Sequence, residues 1–240
     1  MDTSRVRTRG MRRVPRTAGA GPVPARSKGV LMDVGGVLVR EYLPAAAAAW
    51  GARLGISARD FLAALYEGND SGVLIGTVTE DAWWRTVGRR LGVGADVVAE
   101  VRRDLAARET WDEALVARLR GLRGGVHGGA DGGGSGEGRV VTALVSNTWP
   151  DLRRRMTEGR LLDVADHLVL SCEVGCAKPD PRIYGIALRR TATEPGRTLF
   201  VDDVTENVEA ARALGIAGHV HRETADTLGR IEAFLRGGAM

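Results

Sequence analysis

Residues 29–39 read Gly-Val-Leu-Met-Asp-Val-Gly-Gly-Val-Leu-Val. Only Asp33, Gly35 and Gly36 interrupt the apolar run, and its Val and Leu content is that of a strand buried on both faces of a sheet. Residues 140–145, 167–170 and 198–201 have the same character, and a shorter run follows at 218–221. Helix-length segments lie between these runs. Pro150 and Pro181 stand where first helical turns begin, and Val208, Ala211 and Leu214 recur at helical spacing. Repeated strand–helix alternation predicts an α/β fold, a doubly wound parallel sheet with helices on both faces.

Residues 43–109 break that alternation. They read as consecutive helices without a strand. Ser57 with Asp60, and Thr79 with Glu80 and Asp81, have the composition of helix N-termini. Trp50, Phe61, Leu65, Trp83, Trp84 and Leu91 supply apolar faces suited to a small helical bundle. The expected organisation is an α/β core over residues 29–42 and 110–240, interrupted by an all-helical insertion over 43–109. Residues 124–138 hold nine glycines. They follow a helix and precede a strand, the reverse of a phosphate-cradling loop, and are expected to form a flexible connection.

The 240 residues are 44% hydrophobic and 27% charged, a globular composition. No stretch approaches the ~20 apolar residues of a membrane span. Two cysteines exclude a disulfide scaffold, and the C-x₃-C pair Cys172 and Cys176 lacks the second cluster a zinc site needs. The net charge of +4 is carried by the first 28 residues, where eight basic side chains face one acid. That segment reads as a disordered basic tail, and the remainder is net acidic. Nucleic acid is therefore not an expected partner beyond nonspecific contact by the tail, and no membrane partner is expected. Arg12 and Arg13 are not followed by an apolar export segment, so a cytoplasmic location is expected. The pattern does not specify an oligomeric state.

In a parallel sheet, ligands bind beyond the carboxyl ends of the strands. The first strand runs into Asp33, the second into Ser146-Asn147-Thr148 and the fourth into Asp202-Asp203, and Lys178 follows the third. These ends gather three carboxylates, a hydroxyl, an amide and an ammonium. Lys178 and Asn147 stand out in a chain with only two lysines and three asparagines. Two carboxylates from different strands can hold Mg²⁺ through hard oxygen ligands. Lysine and serine can bind phosphate oxygens, and the remaining carboxylate can act as a covalent nucleophile. The chemistry suggested is phosphoryl transfer through an aspartate.

Four segments carry a more specific resemblance: VLMDVGGVLV (30–39), ALVSNT (143–148), EVGCAKPDPRIY (173–184) and LFVDDVTENVEAARALGI (199–216). In order and spacing they resemble the four motifs of the haloacid dehalogenase (HAD) superfamily, over roughly residues 29–236. The subgroup resembled is phosphatase-like, with an Asp-x-Gly-Gly-Val first motif, similar to sugar-phosphatase-like hydrolases and to the amino-terminal phosphatase domain of some epoxide hydrolases. The insertion resembles that family's helical C1-type cap on a Rossmannoid core.

The resemblance implies a Mg²⁺-dependent phosphatase of a small phosphorylated metabolite. Asp33 would become an aspartyl phosphate. Ser146, with the Asn147 backbone, would bind the phosphoryl group, and Lys178 would neutralise charge on phosphate and nucleophile. Asp33, the Gly35 carbonyl and Asp202 would hold Mg²⁺, with Asp203 in support. Asn207 would orient the acidic loop or cap the helix after it. One position departs from the family pattern. Where its phosphatases carry a second Asp, the general acid/base, this chain has Gly35, and such a group contributes about 10²–10⁴-fold. Two alternatives stand beside the phosphatase: a weak or inactive phosphate-binding regulatory module, and a 2-haloacid dehalogenase that uses Asp33 without Mg²⁺. Glu41, or an acid of the insertion, is a candidate replacement acid/base. Glu67 and Asp70 are candidate pocket acids, and Trp149 is a candidate substrate contact or packing residue.

Overall fold

A computed structural model describes residues 27–66, 71–123, 139–159 and 161–237. The basic segment 1–26, the Gly-rich segment 124–138, Glu67 and Asp70 lie outside the described residues. Among the described residues, strand β1 (Lys28–Met32) is followed by six helices: α1 (Leu43–Leu54), α2 (Ala58–Tyr66), α3 (Ser71–Leu74), α4 (Glu80–Leu91), α5 (Ala95–Arg108) and α6 (Glu113–Leu122). Then come β2 (Val140–Ser146), α7 (Asp151–Glu158), β3 (His167–Leu170), α8 (Ser171–Val174) and α9 (Pro181–Thr191). The chain ends in β4 (Thr198–Asp202), α10 (Thr205–Ala213), β5 (Ala217–Val220) and α11 (Thr224–Leu235).

The five strands are parallel, in the order β3-β2-β1-β4-β5. Successive side chains of a strand point to opposite faces. Val30 and Met32 of β1, with Leu199 and Val201 of β4, enter a core shared with α6, α7 and α11. Leu31 and Phe200, one residue out of phase, enter a second core with α9 and α10. Val30, Leu31 and Met32 are 0% exposed. Truncating Leu31 or Met32 to Ala would cost about 2–5 kcal/mol. A third apolar cluster belongs to the inserted helices, built on Trp50, Phe61, Leu65, Trp83 and Trp84.

The first apolar run is not one strand. β1 stops at Met32, and residues 33–39 fold back in a turn closed by a Gly35–Val39 bridge. Val39 N–H donates to the Val34 carbonyl at 2.7 Å, and Gly36 turns the backbone at φ +73°. Alanine there would meet both left-handed strain and the Asp203 carboxylate, 2.2 Å from the position of its Cβ.

Other expectations shift by a residue or two. Lys28, counted above with the tail, opens β1, and its ammonium donates to the carbonyls of Phe234 and Leu235 at the end of α11. Pro181 is the first residue of α9, behind an Asp180 side-chain cap, whereas Pro150 is the cap residue of α7. Leu214 lies past the end of α10 and is 37% exposed, so only Val208 and Ala211 of that triplet are core. Thr79 caps α4 by accepting from Ala82 N–H, and Ser57 Oγ accepts from Asp60 N–H. No helix among the described residues is long and apolar enough to cross a membrane.

Candidate active site

Asp33 directly follows β1, and its own N–H donates to the Val201 carbonyl on neighbouring β4 at 2.9 Å. Its Oδ1 accepts from Val34 N–H at 2.7 Å. Sheet pairing therefore carries the carboxylate to the ends of β2 and β4, where Ser146 and Asp202 stand. The side chain of Lys178, 1% exposed, places Nζ 2.7 Å from Asp33 Oδ1 and 2.7 Å from Asp202 Oδ2. Asp202 is fully buried; it also accepts from Val204 N–H at 2.8 Å, and its two carboxylate oxygens accept from Asn207 Nδ2 at 3.1 and 3.2 Å.

The expected site residues thus converge, with two differences in detail. Asn207 does not cap a helix: the cap residue of α10 is Val204, and the Asn207 side chain holds Asp202 instead. Tyr184 OH fixes Asn207 in turn by donating to its carbonyl at 2.8 Å. Asn147 contributes its side chain as well as its position. Its Oδ1 accepts from Lys178 N–H at 2.7 Å and its Nδ2 donates to the Lys178 carbonyl at 2.8 Å, a two-point clamp on the loop that delivers the ammonium. That loop follows the short helix α8 rather than β3 directly.

Oxygens of Asp33, Asp202 and Asp203 lie within 4.8 Å of one another. Burial pushes the Asp33 carboxyl up to about 6; Lys178 opposes the shift and Asp202 adds to it. Burial, and then the Asp202 charge, also push Asp203 upward. Three carboxylates with one ammonium between them leave an excess of negative charge in a partly desolvated place. A hard cation would relieve that excess. Oxygen donors in this number and proximity fit a divalent metal of the Mg²⁺ class.

A cavity of about 330 Å³ opens over this cluster, lined by Asp33, Gly35, Ser146, Asn147, Lys178, Asp203 and Asn207, among others. Glu41 and Glu109, the acids nearest to the expected replacement role, also line it. Glu41 is exposed, and its Oε1 accepts from Leu43 N–H at 2.7 Å. Glu109 is held by Arg155 and by Tyr42, and burial raises its pKa. The Arg155–Glu109 pair also borders a larger cavity of about 750 Å³ beside α6 and α7, which lacks a carboxylate cluster among the described residues. Trp149 stacks on Trp83 of α4 with ring centroids 4.9 Å apart, so it joins the inserted helices to the end of β2 while its remaining surface lines the site cavity.

Sequence comparison agrees with the geometry. The profile of haloacid dehalogenase-like hydrolases matches residues 27–215, which include every residue of the cluster. The chain belongs to that family. Among curated relatives, the bifunctional epoxide hydrolase 2 of Sus scrofa is 35% identical over 96 residues, 38% of this chain. The match spans only 17% of that longer protein. A sesquiterpene phosphatase of Aspergillus oryzae is 27% identical over 143 residues, 60% of this chain and 67% of the relative. A HAD family enzyme from Bacteroides thetaiotaomicron superposes with a TM-score of 0.66 at 21% identity, covering 85% of this chain and 98% of the other. A second structure of that enzyme, in complex with magnesium and inorganic phosphate, superposes at 0.63 with 20% identity over 83% and 98% of the two chains.

The remaining residues singled out have structural surroundings. Cys176 is buried and Cys172 half-buried, both free thiols, and burial pushes Cys172 up to about 11. His219 Nε2 and His221 Nδ1 share the hydroxyl of Thr227, at 3.0 and 2.8 Å. Sequence reasoning missed the Thr148–Ser171 pair, where Thr148 N–H donates to Ser171 Oγ at 2.9 Å and pins the end of β2 to the start of α8. It also missed the pairing of Glu109 with Arg155.

Proposed function

We propose that this chain is a Mg²⁺-dependent phosphatase of a small phosphate monoester, acting through an aspartyl phosphate on Asp33, with the inserted helices serving as a cap over the site. The observation that carries the reading is one ammonium shared at 2.7 Å by two buried carboxylates, with a third alongside. The phosphatase relative and the neighbour's complex with magnesium and phosphate support it.

Asp33 Oδ attacks phosphorus. The ester P–O bond breaks, and its electron pair stays on the leaving oxygen, which takes a proton from water. Water then attacks the phosphorus of the aspartyl phosphate, the bond to Asp33 breaks, and inorganic phosphate leaves with the carboxylate restored. Lys178 holds Asp33 in line and balances charge on the phosphoryl oxygens. Ser146 donates its hydroxyl to the same group. Asp33, the Gly35 carbonyl and Asp202, supported by Asp203, would hold the ion. When bound, Mg²⁺ supplies positive charge against the phosphoryl oxygens. The side chains of Asn147 and Asn207 position Lys178 and Asp202, and the Asn147 backbone would join Ser146 on the phosphoryl group.

Hydrolysis of 4-nitrophenyl phosphate with and without Mg²⁺, beside Asp33→Asn, tests the reading. Mg²⁺-dependent turnover abolished in the variant is expected. A folded, Mg²⁺-loaded protein that hydrolyses neither this ester nor a broad metabolite panel overturns it. Gly35 favours a second reading, a phosphate-binding module of negligible turnover; phosphate binding without hydrolysis in the native chain would mark it. Metal-independent halide release from a 2-haloacid would mark the dehalogenase instead, a reaction that gives no purpose to three clustered carboxylates.

A further inference from the structure

The cavity has two kinds of wall. At the carboxylate end are Asp33, Ser146, Lys178 and Asp203. The rest is formed largely by Tyr42, Leu43, Tyr66, Leu74, Trp149 and Val204. Tyr66 and Val204 are each 43% exposed, so two of the exposed large apolar side chains among the described residues line this one cavity.

Most polar side chains between these walls are already engaged. Both atoms of the Asn147 amide are spent on Lys178. Asn207 Nδ2 serves Asp202. Thr148 Oγ1 donates to the Trp149 carbonyl at 3.2 Å. Arg155 faces Glu109 and Asp151, and the Tyr42 hydroxyl bonds Glu109. Arg40 and Glu41 lie exposed at the rim, Arg40 3.7 Å from Asp112. A polyol seated deeper than this rim would give up water for few new partners, at on the order of tenfold in affinity per unreplaced hydrogen bond. An aromatic ring would meet Tyr42, Tyr66 and Trp149.

The acids point the same way. The carboxylates on the cavity are Asp33, Asp203, Glu41 and Glu109. Asp33 and Asp203 belong to the cluster, Glu41 accepts the first amide of α1, and Glu109 is clamped by Arg155 and Tyr42. Among the described residues, each of these acids already has a partner, so a leaving oxygen that needs little protonation suits the site best. A phenol needs no such help: it ionises near ~10, as tyrosine does, against about 15.7 for water, which simple alkanols resemble.

We propose that the alcohol half of the substrate is aromatic, so that the chain hydrolyses the phosphate monoester of a phenol; this rests on the phosphatase reading above. Asp33 Oδ bonds to phosphorus as the aryl-oxygen–phosphorus bond breaks, and the phenolate keeps the electron pair and is protonated by solvent after it departs.

The test is a matched series at saturating Mg²⁺: substituted phenyl phosphates, octyl phosphate, and the polyol ester glycerol 3-phosphate. Expected kcat/KM for 4-methylphenyl phosphate exceeds that for the other two by about 100-fold or more, and rates rise as the phenol pKa falls. Tyr66→Ser and Val204→Ser, both at exposed positions, each raise KM for the aryl ester about two- to tenfold while Ki for inorganic phosphate holds. Glycerol 3-phosphate or octyl phosphate equalling the aryl ester overturns the inference and leaves the phosphatase reading standing. So does an unchanged KM in both variants. Failure to hydrolyse any ester removes the phosphatase reading, and the inference falls with it.

Discussion

Removing the ammonium of Lys178 while leaving its chain length, as in Lys178→Met, tests the electrostatic account of the site most directly. Two contacts of 2.7 Å are lost, to Asp33 and to Asp202. At an effective dielectric constant of ~20, each is worth about 6 kcal/mol of Coulomb energy. Desolvation of the ammonium in the native protein cancels much of that sum. What remains after the substitution is a pair of buried carboxylates with no cation between them, for which about 3–5 kcal/mol of lost stability is expected. In a chain of this size, that lowers Tm by roughly 6–20 °C. The assay is urea unfolding in EDTA, run on Lys178→Met, Asp33→Asn and the double variant. Asn at position 33 keeps an oxygen for Val34 N–H and removes the charge. The double variant is therefore expected to be more stable than the sum of the single losses implies, by about 1–3 kcal/mol of coupling. Lys178→Met within about 1 kcal/mol of wild type, or strictly additive single effects, would refute the account.

Three further outcomes are expected. Gly35→Asp places a carboxylate where an added Cβ meets nothing within 4 Å; it should leave Tm within a few degrees and raise kcat for an alkyl phosphate by about 10²-fold, in steady-state assays, if protonation of the leaving group limits the native chain. Gly36→Ala should cost about 1–2 kcal/mol of backbone strain at φ +73°, displace Asp203, and weaken Mg²⁺-dependent stabilisation in thermal melts; a melt and Mg²⁺ response like wild type would contradict the crowding seen there. Burial lowers the pKa of His219 and His221. The native state then binds protons less readily than the unfolded chain, so stability is full above ~6.5 and declines as pH falls below it; the decline should be shallower in His221→Gln, read from urea midpoints between pH 7.5 and 5.

The parallel sheet was legible because each strand is an apolar run and each run ends in a polar group. The convergence of Asp33, Ser146 and Asp202 follows from that pattern once the strands lie side by side, and the Asn147 clamp brings Lys178 to them from the loop after α8. The end of β1 was harder to read. Residues 34–39 are as apolar as a strand, with Val34, Val37, Leu38 and Val39 all buried. Only the left-handed backbone at Gly36 turns them aside, and no hydropathy pattern encodes φ. The Asn147 clamp, the Thr148–Ser171 pair and the Arg155–Glu109 pair were illegible for another reason. They join residues 31, 23 and 46 positions apart, and each of those residue types has an ordinary surface role when read alone. The scarcity of Asn and the motif resemblance marked positions 147 and 207, but neither showed which groups their side chains would hold.

The site divides into a part that the fold has already satisfied and a part that it has not. Asp202 has four hydrogen-bond contacts, from Lys178, Val204 and twice from Asn207, so its position does not depend on a ligand. Asp33 and Asp203 are held by fewer groups and both sit above the usual carboxylate range. That unrelieved charge is what a cation and a phosphoryl group would act upon. Gly35 stands next to this half, exposed and with open space around it, so packing does not exclude a side chain there. Its effect is chemical. A carboxylate at 35 would add a fourth negative charge to a cluster with one ammonium, raising the electrostatic cost of the unliganded protein, and would supply a proton donor in return. An easily departing alcohol makes that donor dispensable, and the smaller charge imbalance is then retained. On the proposed aryl substrate, the glycine at 35 and the aromatic wall of the cavity serve one and the same leaving group.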